Sequence, residues 1–378
     1  MKLFLIIAML RVKLARCLIQ ILLGKHSGGI PGSVVRSLEE IAGRALADNH
    51  LLEMCEVSNA EVVLYSFPKD FPAWVRREKA FDKRNVYFLK DVIVSPDSGM
   101  VWTPDGYIFQ ESVGSLQRIL GWGGVLHEPL LPTSTNCIEE CLIPCPDTGY
   151  FHWLLEIMPN VLDALDVAPD ARILVSHKRS RYATDGLRIL LGEKAIEERC
   201  LVQTSSQVCS RLIMPTCEPY SGFILPRNVE ILRNALQPSE KDLGLKDGRK
   251  FYVSRRNSPK RAVENEQELE TSLEKDGFEV ICLEKMDLKV QIETLSQALV
   301  VVGMHGAGLA NMIWARKPCH IIEIFPVGCY NDCFARLALT CGYEYSMVRC
   351  RENQTGTNGL IPIHEVLCLA NPAHKEMQ

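Results

Sequence analysis

The apolar positions of the C-terminal third form short runs that alternate with helical patterns. Strands are predicted over Phe251–Ser254, Phe278–Cys282, Ala298–Val302 and His320–Phe325. Ala298–Val302 is a continuous Val-rich run, typical of a strand buried on both faces of a sheet. Helices with apolar residues on one face are predicted between these strands, over residues 265–275, from 287 onward and over 309–315. Repeated alternation of strand and helix predicts a parallel, doubly wound sheet.

The N-terminal half shows the same alternation less clearly. Strand-like runs occur over Glu61–Tyr65, Val86–Phe88 and Arg172–Val175. Polar runs with Gly or Pro over residues 237–249 and 352–359 are typical of joints. The first joint predicts two domains, over residues 26–238 and 239–378, preceded by a separate segment over residues 1–25.

The segment over residues 1–25 is apolar but interrupted by charge. Residues 3–10 are all apolar, and Arg11, Lys13 and Arg16 then follow, so the run is too short to cross a bilayer. A narrow basic stripe on a wide apolar helix predicts peripheral contact with a membrane surface. A signal peptide and a helix packed on the protein's own core are the alternatives. The expected location is cytoplasmic and membrane-associated, with the Golgi or ER lumen, reached through an N-terminal signal anchor, as the alternative.

Charge and cysteine content narrow the class of protein. The 378-residue chain has a net charge of −4, which gives no basic field for nucleic acid, so a nucleic-acid partner is not expected. Its fifteen cysteines include a close group at Cys137, Cys141 and Cys145. That group lacks a fourth close ligand of the usual zinc kind, so buried, reduced thiols are favoured over a zinc site, and no metal site is predicted.

Polar residues follow the predicted C-terminal strands. Ser254, Arg255 and Arg256 end or follow the first strand, and Glu323 lies near the end of the fourth. Ligands of a parallel sheet bind beyond the carboxyl ends of its strands. The two arginines could bind phosphate oxygens, or be solvated charges at a strand exit. Glu323 could accept hydrogen bonds from a ribose diol, or pair with a neighbouring basic residue.

A glycine-rich loop follows the third strand. It contains Gly303, His305, Gly306, Ala307 and Gly308, and a predicted helix comes next. Backbone N–H groups at a helix start, with glycines allowing close approach, suit a pyrophosphate. The spacing is not GxGxxG, which disfavours an NAD site. Tight packing of the turn is the alternative interpretation.

A second polar constellation lies in the N-terminal half. His152 and Glu156 are four residues apart in a predicted helix that begins near Tyr150, so they share one face. The carboxylate could orient the imidazole as a general base. A metal-binding pair and a histidine satisfied inside a domain interface are the alternatives.

Several blocks, taken together and in order, resemble glycosyltransferase family 61. They are YFHWLLEIMP, FYVSRR, Asn265-Glu266, Glu284 with Gln291, GMHGAGLANMIWA and IIEIFP. The resemblance covers about half of the chain, from Pro144 to Pro326, and the order and spacing are more specific than any one block. It implies the GT-B architecture, an α/β fold of two Rossmann-like domains facing each other across a cleft.

The resemblance also implies an activity and its partners. We expect an inverting transferase that uses a nucleotide-diphosphate sugar, with UDP as the expected nucleotide, and that needs no metal or other cofactor. The acceptor would be a glycan, a lipid-linked molecule or a protein, in the synthesis of surface polysaccharide or another glycan. Domain 26–238 would recognise the acceptor, and domain 239–378 would bind the nucleotide sugar.

The resemblance assigns roles to individual residues. His152 and Glu156 would be catalytic, and the donor would contact Ser254, Arg255, Arg256, Glu323 and the loop residues Gly303, His305, Gly306, Ala307 and Gly308. Asn160 departs from the pattern, because many relatives carry a basic residue after the proline. Any phosphate or acceptor contact that the basic side chain makes in those relatives is therefore in doubt for this sequence.

Two other functions are compatible with parts of the sequence. His305-Gly306-Ala307-Gly308 resembles an oxyanion-hole segment of esterases, but the sequence contains no GxSxG nucleophile motif. A non-catalytic glycan- or nucleotide-binding module on the same fold is the other alternative. Release of UDP in the presence of acceptors would distinguish a transferase from such a module.

Overall fold

The chain forms two compact units in a computed structural model. The first takes in the described residues of Met1–Ala60, Asp82–Ser180 and Glu193–Ser221, and the second those of Glu61–Phe81, Arg181–Gly192 and Gly222–Gln378. The structure describes residues 35–36, 50–67, 71–104, 108–113, 137–218, 222–239, 248–256, 263–329, 331–352 and 359–371.

Parts of the sequence prediction fall outside these residues. They include the amphipathic segment 1–25 and most of the joint at 352–359. Within the described ranges, no helix has the length and hydropathy needed to cross a membrane. The predicted domain bounds, membrane contact and location stay predictions.

The strands are short in the first unit and more regular in the second. They are β1 Val35–Arg36, β2 Leu51–Ser58, β3 Glu61–Leu64, β4 Glu78–Phe81, β5 Arg84–Leu89, β6 Val92–Val94, β7 Val101–Trp102, β8 Ile108–Phe109, β9 Cys137–Cys145, β10 Arg172–Ser176, β11 Cys200–Gln203, β12 Gln207–Pro215, β13 Arg249–Val253, β14 Phe278–Ile281, β15 Ala298–Met304, β16 His320–Phe325 and β17 Glu344–Arg349.

Helices of three kinds connect them. The α-helices are α1 Gln110–Val113, α2 Tyr150–His152, α3 Met158–Val167, α4 Arg181–Leu191, α5 Ile196–Arg199, α6 Pro226–Leu236, α7 Glu266–Lys275, α8 Leu288–Leu295, α9 Cys333–Thr340 and α10 Ile363–Ala370. A π-helix, Trp153–Ile157, joins α2 to α3, and 3-10 helices span Leu283–Lys285 and Ala307–Trp314.

The first unit contains a mixed sheet. Strands β12, β9, β10 and β11 are adjacent and parallel, which is the Rossmann-like part. Antiparallel strands extend it, because β5 and β6 pair with β12 in the opposite direction. Buried apolar side chains hold this sheet together, among them Leu89, Leu142, Leu174 and Leu212.

The second unit contains a wholly parallel sheet of five strands. Its order is β14-β13-β15-β16-β17, and every pair in it is parallel. The four predicted strands are present, and β17 is a fifth that was not predicted. Numbered along this sheet, the order is 2-1-3-4-5, one of the two common doubly wound orders. Tyr252, Leu269, Val302 and Ile322 belong to its buried core.

Two local expectations for this unit need correction. Residues 307–314 form a 3-10 helix, not the α-helix expected over 309–315. Asn265 precedes α7, as expected of an N-cap, but its side chain makes no capping hydrogen bond. It binds the backbone of Ile361 instead, donating to the carbonyl at 2.9 Å and accepting from the N–H at 2.8 Å. A tertiary contact has displaced the local cap.

A hairpin from the N-terminal half belongs to the second unit. Strands β3 and β4 pair antiparallel as a separate two-stranded sheet. Trp74 lies edge-on to Phe325 with ring centroids 6.2 Å apart, and Phe71 lies 5.8 Å from Tyr345. The hairpin segment therefore packs beside the last two strands of the parallel sheet.

The observed architecture confirms the α/β class, with parallel sheets and Rossmann-like topology. The facing of two domains across a cleft stays a prediction. The fourteen cysteines in the described part of the chain are all thiols, with no disulfide among them. In the group expected to be buried, Cys145 is buried, Cys141 is half-buried and Cys137 is exposed, so the expectation of burial was wrong for Cys137.

Candidate functional site

The polar residues of the second unit meet where its strand order reverses. Strands β13 and β15 are neighbours there, and Val253 is in register with Gly303. Arg255 follows β13 by two residues, and His305 directly follows β15. Parallel doubly wound sheets bind ligands beyond the carboxyl ends at this reversal. The topology alone therefore makes these two segments the candidate site.

Arg255 lies directly against the glycine loop. A Cβ atom added to Gly306 would overlap the Arg255 guanidinium. The backbone of Gly306 is extended, with φ of 170°, so glycine is needed here for space and not for conformation. Gly303 is restricted in the same way, because its Cβ would stand 2.9 Å from Leu309 Cδ2. The partly exposed Arg255 thus covers the buried Gly306.

Two buried carboxylates of α7 hold the segment after β13. Glu266 accepts hydrogen bonds from the Arg255 backbone N–H at 2.7 Å and from the Tyr252 hydroxyl at 3.0 Å. The Ser254 hydroxyl donates to Glu270 at 2.6 Å. Because hydrogen bonds to ionised carboxylates are among the stronger ones, this arrangement fixes the backbone from which the Arg255 side chain extends.

The three residues that follow β13 make different contacts. Ser254 is buried, and its hydroxyl is used within the protein. Arg256 is 52% exposed but pairs with Glu270 at 3.3 Å. Of the three, Arg255 is the one that the structure brings onto the glycine loop.

His305 and Glu323 form a buried ion pair. His305 Nδ1 contacts Glu323 Oε1, and their side chains are 4% and 0% exposed. The other Glu323 oxygen accepts a hydrogen bond from the Tyr345 hydroxyl at 2.5 Å. Of the two interpretations of Glu323 from the sequence, the structure shows the pairing with a basic neighbour. Both Glu323 oxygens are therefore used within the protein.

The surroundings favour a charged His305. Burial alone would lower the pKa of its imidazole, but hydrogen bonds to Cys329 and Glu323 outweigh burial and raise that pKa to about 9. The ring also stacks on Phe325, with centroids 5.4 Å apart. At neutral pH the site therefore contains a fixed imidazolium beside the glycine loop.

Two buried amide side chains hold the 3-10 helix that follows the loop. Asn311 donates to Gln291 Oε1 at 3.0 Å and accepts from the Trp314 ring N–H at 3.0 Å. Gln291 in turn donates to the carbonyls of Leu283 and Met286, both at 3.0 Å. Ala307 and Gly308 begin the helix and are exposed and half-buried. The first N–H groups of a helix have no acceptor within it, so this end offers donors to an anion.

The predicted contact between His152 and Glu156 is present in the first unit. His152 Nδ1 lies 3.2 Å from Glu156 Oε2, and the side chains are 30% and 5% exposed. The helix starts after β9, and residues 153–157 of it are wound as a π-helix, a feature frequently found at functional sites. A histidine with one nitrogen held and part of its ring exposed can exchange a proton with a bound molecule.

Asn160, the departure from the family pattern, contacts a buried arginine. Arg84 of β5 donates to Asn160 Oδ1 and lies 3.3 Å from Asp163 Oδ2. Asn160 also donates to Cys217 Sγ at 3.7 Å. All of this is internal to the first unit, and every partner except the half-buried Cys217 is buried.

The sequence comparisons bear on this part of the chain. Residues 150–322 match a family model described as Glycosyltransferase 61. This stretch of the chain is similar to the glycosyltransferase 61 family. The matched stretch, slightly less than half of the chain, confirms the predicted resemblance and the enzyme class of glycosyltransferase. It contains His152, Arg255 and His305, and it ends one residue before Glu323.

Two other comparisons add little to the family match. No curated protein matches the chain. A crystal structure of the dodecameric, iron-containing heptosyltransferase TibC in complex with ADP-D-beta-D-heptose is similar at 14% identity, over 64% of this chain and 77% of that one. Its TM-score of 0.32 carries no argument about fold or activity.

Some residues of the site were missed from the sequence. Glu270, Tyr345 and Cys329 contact predicted site residues but were not themselves predicted. Glu270 follows Glu266 by four residues on one helix face, which was the available signal. Tyr345 and Cys329 gave none. Across the described ranges, no group of three or more His, Cys, Asp or Glu is placed to hold a metal ion.

Proposed function

We propose that the protein transfers a sugar, with inversion, from a nucleotide-diphosphate sugar to a glycan, lipid-linked or protein acceptor. UDP is the proposed nucleotide. One observation carries the donor assignment: the Arg255 guanidinium and the glycine loop come together at the reversal of the parallel sheet.

The chemistry of the leaving group explains why this observation matters. As the bond between the anomeric carbon and the diphosphate breaks, negative charge grows on the departing oxygens. In a reaction without a divalent cation, the protein itself must stabilise that charge. A fixed guanidinium and helix-start N–H groups do so without reorganising, which is the usual origin of large electrostatic rate effects.

His305 has an indirect part in this proposal. Its side chain is 4% exposed, so it presents little surface to a substrate. It lies at the start of the loop, where its ion pair with Glu323 and the hydrogen bond from its backbone N–H to the Ile324 carbonyl, at 2.8 Å, hold the loop against β16. His305 and Glu323 are therefore positioning residues, and Arg255 is the proposed contact.

His152 is the proposed catalytic base. It would take the proton of the acceptor hydroxyl as that oxygen attacks the anomeric carbon. The new C–O bond forms on the face opposite the departing diphosphate, so a single displacement inverts the configuration. Glu156, 5% exposed and hydrogen-bonded to His152 Nδ1, would orient the ring and stabilise the imidazolium.

Replacing Arg255 tests the donor assignment. Arg255→Ala is expected to lower kcat for UDP release about 10²–10³-fold, as the loss of one transition-state donor does. Arg249→Ala is the matched control, because Arg249 begins the same strand at its opposite end and pairs with Glu279. The control is expected to change kcat less than about twofold, since an exposed pair contributes little.

The assay uses a panel of UDP-sugars and acceptors, with and without EDTA. The wild-type rate is expected to be the same in both, and thermal unfolding checks that each variant is folded. Near-normal turnover of Arg255→Ala would overturn the donor assignment. A wild-type chain that binds UDP but releases none with any acceptor would favour the binding module.

A further inference from the structure

The chain segment around the start of β4 carries positive charge at the surface of the second unit. Arg76 and Arg77 precede β4 and are exposed, and Lys79 within it is half-buried. Glu78 is the one acidic residue between them. Because the whole chain has a net charge of −4, a surface that attracts an anion has to come from a local cluster of this kind.

Aromatic rings hold these cationic groups. Arg76 Cζ lies 5.3 Å from the centroid of the Phe223 ring, and Lys79 Nζ lies 5.5 Å from the same centroid. Arg77 Cζ lies 6.0 Å from the centroid of the Phe67 ring, and Arg77 donates one N–H to the Phe67 carbonyl at 3.3 Å. Contact with a ring orders a cation. Unlike a carboxylate, the ring does not neutralise the positive charge.

The two arginine side chains keep their charge available. Across the described ranges, no ion pair of the Arg76 or Arg77 side chain is seen. Asp332 is close to Arg76, but it accepts the backbone N–H of that residue at 2.7 Å and forms its ion pair with Arg336. A guanidinium can bind a carboxylate through two parallel hydrogen bonds, so these side chains suit an anionic ligand.

This charged segment packs at the carboxyl end of the parallel sheet. Phe325 and Arg349 end the neighbouring strands β16 and β17, and the two residues are in register. The Trp74 ring lies edge-on to Phe325, and Arg349 Cζ lies 5.6 Å from the centroid of the Trp74 ring. The half-buried Arg349 therefore adds a further cation at this edge of the sheet.

Helix α9 connects this edge with the glycine loop. Asp332, which directly precedes α9, binds the Arg76 backbone. Phe334, in the first turn of α9, lies edge-on to the His305 imidazole, with ring centroids 5.1 Å apart. The cationic segment and the candidate donor site therefore lie at the same edge of one sheet, within one unit.

We propose that Arg76, Arg77 and Arg349 form a binding surface for an acidic glycan, a polysaccharide that carries carboxylate or sulfate groups. Several ordered cations in one region match the repeated charges of such a chain. The half-buried Trp74 ring offers an apolar surface to a sugar ring. This inference rests on the proposed function, because it takes the acidic glycan to be the acceptor.

The test measures binding of the full chain to three immobilised polysaccharides. Polygalacturonate carries carboxylates, heparin carries sulfates, and dextran is the neutral control. Binding to the two acidic polymers is expected at about 50 mM salt and should weaken steeply as salt rises, because each ionic contact releases condensed counterions. Dextran should not bind under the same conditions.

Two double variants locate the surface. Arg76→Gln with Arg77→Gln should weaken binding about tenfold and give a shallower dependence on salt, since two contacts to a polyanion are lost. Lys275→Gln with Lys317→Gln is the matched control. It removes the same charge from exposed positions that precede β14 and β16, at the opposite edge of the sheet. The control should change the affinity less than about twofold.

Several results would overturn the proposal. They are an equal loss in both double variants, unchanged binding by the arginine variant, and failure of the wild-type chain to bind either acidic polymer. Binding to vesicles of phosphatidylserine and phosphatidylcholine through the same arginines, without binding to either polymer, would show a membrane surface instead.

The proposed function is tested separately in the same samples. UDP should raise the thermal unfolding temperature equally in the wild type and in the arginine variant, which also shows that the variant is folded. Glycan binding that depends on the arginines, in a chain that releases no UDP with any acceptor, would support the surface and contradict the transferase.

Discussion

Each unit contains a histidine bonded through Nδ1 to a glutamate, yet the two pairs differ in setting. His152 and Glu156 lie one helical turn apart, and the imidazole is 30% exposed. His305 directly follows β15 and Glu323 lies on the neighbouring strand β16; the imidazole is 4% exposed beside a carboxylate with no exposed surface. Of these two rings, the exposed part of His152 is the larger.

Burial gives the same pair of groups two different chemical properties. A half-exposed imidazole can gain and lose protons with a bound molecule, as a general base requires. A buried imidazolium between a carboxylate and an aromatic ring is a fixed charge, and exchange with substrate is hindered. We therefore expect loss of the first pair to affect turnover, and loss of the second to affect stability as well.

The largest expected effect is on turnover. His152→Ala should lower kcat by about 10²–10⁴-fold, the usual contribution of a general base, while leaving UDP affinity and thermal stability close to wild type. The measurements are UDP release, UDP titration and thermal unfolding. His364→Ala is the control, because His364 is exposed on α10. Full activity of His152→Ala would show that another group is the base and that the exposure of His152 does not indicate a catalytic role.

Next in size is the stability cost of the buried pair. Glu323→Gln leaves the His305 imidazolium without its counter-ion and should lower the free energy of unfolding by about 3 kcal/mol. Glu344→Gln is a matched control on the adjacent strand, since Glu344 is 74% exposed and lies 3.9 Å from His320. Its cost should be below about 1 kcal/mol. Similar costs for both variants in urea unfolding would show that burial does not distinguish them.

The smallest effect concerns pH. The His305 pKa is about 9 in the folded chain, above its ordinary value of 6.5. A raised pKa means that the proton stabilises the folded state fully below pH 6.5, and that this stabilisation is lost as pH rises through 9. Urea unfolding between pH 6 and 9.5 should show declining stability, with a shallower decline in Glu323→Gln. Glu323 contacts this imidazole directly, and the Tyr345 hydroxyl binds the other oxygen of Glu323. Stability that is constant over this window would contradict a charged His305.

The second unit was largely predictable, because its strands are buried on both faces. Such strands appear as continuous apolar runs, and the runs at Ala298–Val302 and His320–Phe325 correspond to β15 and β16. Strand β17 was missed, because the polar residues Glu344, Ser346 and Arg349 interrupt its apolar run. The mixed sheet of the first unit was less predictable for the same reason.

The site was predictable to the level of position but not of contact. Placing Arg255 and the glycine loop at one sheet edge needed only the alternation of strand and helix. The sequence does not show which of Arg255 and Arg256 reaches that loop. The answer depends on Glu270 of α7, which forms an ion pair with Arg256. Likewise, nothing local distinguishes an exposed Glu323 from a buried one, since its neighbours Tyr345 and His305 are brought in by the fold.

The hairpin at residues 61–81 has a consequence for how the chain is made. It is synthesised well before Phe325 and Tyr345, which Trp74 and Phe71 contact. During that interval these aromatic rings lack their neighbours, and the growing polypeptide carries an incomplete unit. The second unit is thus assembled from segments far apart along the chain, and it is completed only after β17 has been made.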